Sequence, residues 1–151
     1  MDVNNLGFGV MISMLSGNED SANAVQSSIG KTITNIDMDT NDADIGGALS
    51  IMFNDGSGIK LFDDGQSCCE RRYMVCDDDL PYFIGGTLVG VEIRDAPNAP
   101  AEYDCHEVQF LIVTTSKGVF TISNHNEHNG YYGGFALKAK NFNEKEKFAW
   151  T

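Results

Sequence analysis

At 151 residues, 42% hydrophobic and 10% aromatic, the chain is long enough to bury one core and too apolar to remain disordered. Twenty-two acidic residues against ten basic ones give a formal net charge of -12, and the basic residues are dispersed along the sequence. That balance argues against a nucleic-acid polymer or an anionic membrane surface as the main partner, because both are held through clustered Lys and Arg.

In chain order, the first stretch is "LGFGVMISMLSG", which follows Met1 and Asp2 with no basic flank and so does not read as a signal peptide. No run approaches the ~20 apolar residues of a membrane span. A cytoplasmic protein is expected, with Cys68, Cys69, Cys76 and Cys105 reduced. Residues 1–30 form a preface in which "VNNLGFGVMISMLSG" and "SANAVQSSIG" both have helical character, with Ser21 as N-cap and Gly30 as C-terminal stop. Gly7 and Gly9 weaken the first of these helices.

From Lys31 the pattern changes to period two. "TITNIDMD" alternates as a strand, and "ALSIMF" and "IKLF" flank "NDGSG", a hairpin turn whose glycines supply positive φ angles. "FDDGQSCCERRYMVCDDDLPYFIGG" reads as a loop, a short strand and a helical turn ending at Gly85 and Gly86. In "TLVGVEIRDA", Thr87, Val89, Val91 and Ile93 share the face expected to meet the core, and Leu88, Gly90, Glu92 and Arg94 share the other. "DAPNAPAEYD" is a surface loop. "HEVQFLIVTT" and "VFTISN" are β-rich runs joined by a tight turn at Lys117 and Gly118. "GFALKAKNF" is a last strand, and the tail "NEKEKFAWT" offers Phe148 and Trp150 as docking anchors. The expected architecture is an α+β domain with a mostly antiparallel sheet of six or seven strands. Residues 1–30 are its short helical extension and residues 31–151 a single ligand-binding domain.

Several chemistries fail on spacing. His125 and His128 could hold zinc from one helix face, but Asn and Gly surround them, and the cysteines form no C-x-x-C pair. Neither a phosphate loop nor G-x-G-x-x-G after a strand is present. A Cys69 and His125 nucleophilic pair is formally available, and no carboxylate stands out as an acid or base. No catalytic group, metal or cofactor is therefore expected. What remains is "NHNEHNGYYGG", residues 124–134: Gly130, Gly133 and Gly134 let backbone N–H groups approach phosphate oxygens. Its Asn amides suit base edges and ribose hydroxyls, and Tyr131 and Tyr132 offer flat faces. The alternative is a turn whose Gly and Tyr residues only shape a strand edge.

The segments "GQSCCE", "IGGTLVGVE" and "TTSKGVFTISNHNEHNGYYGG" add a resemblance. Over residues 59–137 the chain resembles a small-protein family of phages and prophages, similar to the Thoeris anti-defence one proteins. Those are oligomeric, non-enzymatic sponges that bind cyclic ADP-ribose signals and silence a bacterial immune pathway, and some also hold cyclic oligonucleotides. The resemblance implies Phe110, Asn126 and Asn129 as base and ribose contacts, and matches Tyr131 and Tyr132 to the family's Tyr pair. No Arg lies near the last strand, where some sponges hold cyclic oligonucleotides, and residues 1–30 and those after Asn141 have no counterpart. Arg71 and Arg72 are candidate phosphate partners because guanidinium forks suit phosphate oxygens, with a solvated strand face as the alternative.

The expectation is thus a non-enzymatic, homo-oligomeric binder of a small cyclic nucleotide signal in the host bacterial cytoplasm. A hydrolase or lyase using His125 or His128 as base, and an acidic module that binds a host protein, are the other readings.

Overall fold

The computed structural model describes residues 19–39, 47–63, 70–95, 105–128, 135 and 137–143. Among them, helix α1 (Glu19–Ser28) precedes eight strands: β1 (Ile33–Asp39), β2 (Ala48–Phe53), β3 (Ser57–Asp63), β4 (Glu70–Val75), β5 (Leu88–Asp95), β6 (Cys105–Thr115), β7 (Gly118–His128) and β8 (Leu137–Asn143). A 3-10 turn, Leu80–Phe83, lies between β4 and β5. The strands form two four-stranded sheets, in the orders β1-β2-β3-β8 and β4-β7-β6-β5. Every pairing between them is antiparallel. The expected antiparallel character therefore holds, and the count of six or seven becomes eight, divided between two sheets.

Both sheets turn one face to a common core, in which Leu49, Ile51, Ile59 and Leu61 of the first meet Met74, Ile93, Leu111, Val113 and Ile122 of the second. Burying each such side chain contributes on the order of 1.5–3 kcal/mol. The sheets are tied at one corner, where Gly30 N–H donates to Leu88 O, Leu88 N–H to Lys31 O and Ile33 N–H to Gly86 O.

Two bulges alter which residues point inward. A register shift between Ile33 and Asn35 lets Ile33 and Ile36, three positions apart, both face the core. A second shift, between Leu88 and Gly90, buries Leu88 completely and leaves Val89 41% exposed. This corrects the uninterrupted alternation that assigned Val89 to the core face and Leu88 to the other.

Helix α1 ends as expected at Gly30, whose φ is 88°. Ser21 lies inside the helix instead of capping it, and its Oγ accepts the N–H of Ala139 at 3.0 Å. That bond satisfies an edge-strand donor of β8, and Asn141 of the same strand donates to Ala24 O at 3.4 Å and Ser28 Oγ at 3.2 Å. The residues read as an N-terminal extension thus cover a sheet edge that would otherwise be open to pairing. The segment "VNNLGFGVMISMLSG" and the anchors Phe148 and Trp150 lie outside the described residues.

Candidate functional site

The second sheet positions the chemistry. The β6–β7 hairpin turns at Ser116 and Lys117, one residue earlier than the sequence pattern placed it, so Thr115 pairs with Gly118. From that turn β7 runs unbroken to His128, which makes Asn124, His125, Asn126, Glu127 and His128 strand residues and not loop residues. Alternation then sorts them by parity: Phe120, Ile122, Asn124, Asn126 and His128 point inward, and Thr121, Ser123, His125 and Glu127 point outward. β4 is sorted in the same way, since Arg71 pairs with Glu127, Arg72 with Asn126 and Tyr73 with His125. Neighbours in sequence consequently serve opposite faces.

On the outward face, the Tyr73 ring stacks on His125 with centroids 4.7 Å apart and planes 3° from parallel. The Arg71 guanidinium lies 4.9 Å above the Tyr73 ring, in cation–π range, and its side chain remains 75% exposed. Glu127 sits 3.7 Å from Arg71 and accepts a hydrogen bond from the Tyr73 hydroxyl. Burial and that carboxylate push the phenol's pKa up, so Tyr73 stays neutral. Phe110 of β6 pairs with Ser123 on the same outward face and is half-buried.

A chain of hydrogen bonds runs through this platform. His125 Nε2 lies 3.0 Å from Ser123 Oγ, and His125 Nδ1 lies 2.9 Å from His106 Nε2. Ser123 Oγ also donates to Val75 O at 3.3 Å. With the serine proton on Val75, His125 Nε2–H donates to Ser123 and Nδ1 accepts from His106. Desolvation, followed by the nearby His106, lowers the His125 pKa from its ordinary 6.5. The ring is therefore neutral at pH 7 and presents an uncharged aromatic surface.

The inward face at the same end of the sheet is polar. Arg72 is buried, and its Nη1 reaches both carboxylate oxygens of Asp63 at 2.9 and 3.0 Å. Asn126, directly across from Arg72, is fully buried. Asn124 Nδ2 donates to Gln109 O at 3.1 Å, and His128 Nε2 lies 2.7 Å from Glu107 Oε1.

The predicted residues thus divide. Arg71 and Phe110 share the outward face, Arg72 and Asn126 meet across two strands on the inward face, and Asn129, Tyr131, Tyr132, Cys68 and Cys69 lie outside the described residues. Among the described residues no three His, Cys, Asp or Glu side chains converge as a metal would require. Burial raises the Cys76 pKa, which keeps this thiol protonated.

Tyr73 and His106 are site residues that the sequence reading missed. The signal was present: "ERRYMV" alternates so that Arg71 and Tyr73 fall on one face, and counting back from the hairpin turn sets His106 opposite Glu127.

A family model described as "Domain of unknown function (DUF7448)" matches residues 26–137. No curated protein and no solved structure matches the chain.

Proposed function

The chain belongs to the DUF7448 family, and from the outward face of β4, β7 and β6 we propose that it is a non-enzymatic binder of a small cyclic nucleotide signal. The observation that carries this reading is the Arg71–Tyr73–His125 stack beside Phe110. It sets an exposed guanidinium, suited to phosphate oxygens, against neutral aromatic surface, suited to a base. The surrounding charge of -12 disfavours long polynucleotides, so a compact ligand with few phosphates fits the molecule better.

Asn129, Tyr131 and Tyr132 belong to the segment that follows β7, beside this platform in sequence, and their proposed role is to contact base and ribose from the rim. Asn126 is fully buried on the inward face and is left to support the strand. Arg72 supports the strand from the inward side through Asp63. An open sheet face rarely encloses most of a ligand, so a second copy of the chain is proposed to complete the pocket. The resemblance to the Thoeris anti-defence one proteins supports a cyclic ADP-ribose type of signal and a sponge role in the host bacterial cytoplasm: the signal is sequestered without being degraded.

One specific observation favours a second reading, hydrolysis. Ser123, His125 and His106 form a nucleophile–base–orienter series if the serine proton moves from Val75 O to His125 Nε2. Two features weigh against it. Ser123 has a competing acceptor in Val75 O, and β7 is a central strand whose backbone N–H groups are used in ladders with β4 and β6, leaving poor donors for an oxyanion.

A thermal-shift panel of cyclic ADP-ribose isomers and cyclic oligonucleotides tests the binder. A ligand at 100 times its Kd stabilises the fold by about 2.7 kcal/mol. Heating the complex then separates the two readings: a sponge returns intact ligand, and a hydrolase returns product that disappears in Ser123→Ala. No shift with any member of the panel would overturn the proposal.

A further inference from the structure

Among the described residues the two sheets end in four edge strands, β1, β8, β4 and β5. An edge is a row of backbone donors and acceptors open to another chain unless something blunts it. Helix α1 covers β8 through Ser21 and Asn141. β1 carries Asp37 and Asp39 with no base, and the outward face of β4 carries Arg71 with no acid, so two copies joined at either edge would gather charge of one sign. β5 differs, because its outward face carries both signs. Val91 and Ile93 are buried in the core, and Glu92 and Arg94 alternate with them on the other side. Arg94 Nη2 donates to Glu92 Oε1 along the strand at 2.6 Å, and the Arg94 side chain remains 66% exposed.

Only the start of this edge is occupied. On the side of β5 away from β6, Leu88 O accepts from Gly30 N–H, Leu88 N–H donates to Lys31 O, and Thr87 forms a bridge with Thr32. The bulge between Leu88 and Gly90 then bends the strand away, and among the described residues no backbone bond continues that contact along residues 90–95. A second copy laid antiparallel on this run about a two-fold axis must keep inward residues with inward and outward with outward, so the axis passes through a residue and not between two. Through Glu92 it sets acid on acid, and through Arg94 base on base. Through Val91 it brings Arg94 to Leu88, whose edge Gly30 and Lys31 already hold. Through Ile93 it sets Glu92 of each copy opposite Arg94 of the other. The two bridges within the strands and the two between them then form a ring of four alternating charges.

We propose that β5 is a self-association edge: a second copy of this chain adds to it antiparallel with Ile93 on the axis, joining two four-stranded sheets into one of eight strands. Charge complementarity selects this occupant and this register together. Phe110 pairs with Arg94 and Ile112 with Glu92, so the row that starts at Phe110 of one copy runs through Arg94 to Glu92 and Ile112 of the other. The outward faces of both copies, with their Arg71 platforms, lie on the same side of the joined sheet. This edge brings in the second copy of the chain, and it does so whether or not those faces bind a nucleotide.

The test is sedimentation equilibrium of the full chain with no nucleotide present. The unaltered chain is expected to dimerise reversibly. Glu92→Arg sets base opposite base and Arg94→Glu sets acid opposite acid, so each variant alone is expected to self-associate at least about tenfold more weakly. An equimolar mixture of the two variants restores both unlike pairs in the same register and is expected to form a mixed dimer. That recovery separates a lost interface from a damaged fold, because two misfolded chains would not regain association on mixing. Hydrogen exchange of the unaltered chain gives a readout that needs no variant: amides in residues 91–95 should exchange faster on dilution. A monomer at every concentration, undiminished self-association of either variant, or a mixture no more associated than its components would each overturn the proposal. Nucleotide binding is read separately, with ligand present, so failure of this edge and failure of the platform are distinct results.

Discussion

Arg71 and Arg72 adjoin in sequence and occupy opposite environments, one 75% exposed above Tyr73 and the other 6% exposed on Asp63. Their substitutions should separate accordingly. Asp63→Ala leaves a buried guanidinium charge without its carboxylate and is expected to cost roughly 3–5 kcal/mol in chemical denaturation. Arg71→Gln breaks only an exposed ion pair and a cation–π contact, and is expected to cost less than about 1 kcal/mol while weakening the platform ligand. His125 gives a pH dependence of definite sign. Its folded pKa lies below the ordinary 6.5, so the unfolded chain takes up the proton first. Stability is complete above about pH 6.5 and declines as pH falls through that value toward the folded pKa. A melting-midpoint series from pH ~7.5 to ~5 should show a shallower decline in His125→Gln than in the unaltered chain. An equal slope would remove His125 as the source. At this scale the sequence disclosed residue types but not their faces: "ERRY" identifies two candidate phosphate partners, and only pairing with β7 shows that one of them is committed to Asp63.

Among the elements, β3 is an interior strand, hydrogen-bonded to β2 on one side and to β8 on the other. At Gly58 a Cβ would overlap the Phe142 ring and lie 2.8 Å from the carbonyl oxygen of Ile51. Gly58→Ala must displace a buried ring or a paired strand, and is expected to destabilise by about 1–3 kcal/mol or more, measured by denaturant midpoint. Ser21→Ala removes the acceptor for the Ala139 N–H, a buried contact between α1 and β8, at an expected cost of about 1–3 kcal/mol. Faster hydrogen exchange at Ala139, with the β6–β7 hairpin unchanged, would mark the loss as local. The strands themselves were legible because β-branched alternation is a local signal. The bulges at Ile33 and Leu88 were not, because an extra residue in one strand is defined by the partner strand. The polar half of β7 was hidden for another reason. Asn and His are poor strand formers, and the ladders to β4 and β6 hold them extended regardless.

For the molecule as a whole, the division into two sheets is the feature least visible in the sequence, since strand order depends on contacts between distant segments. β8 joins β3 across about half of the chain, and only that pairing sets Lys60 opposite Lys140. The charge of -12 was legible from composition, and only the fold shows that one guanidinium, that of Arg71, stands exposed on the outward face of the second sheet. Whether the Arg71–Tyr73–His125 face holds a small cyclic nucleotide is decided by calorimetric titration of cyclic ADP-ribose isomers into the unaltered chain and into Tyr73→Ala. That substitution removes the ring between guanidinium and imidazole at a half-buried outward position, where the fold loses little. Saturable binding of at least one isomer, recovered intact, is expected, with affinity reduced at least about tenfold in Tyr73→Ala, the scale of a lost stacking partner and a released guanidinium. Binding of equal strength in both proteins, or none in either, would contradict it.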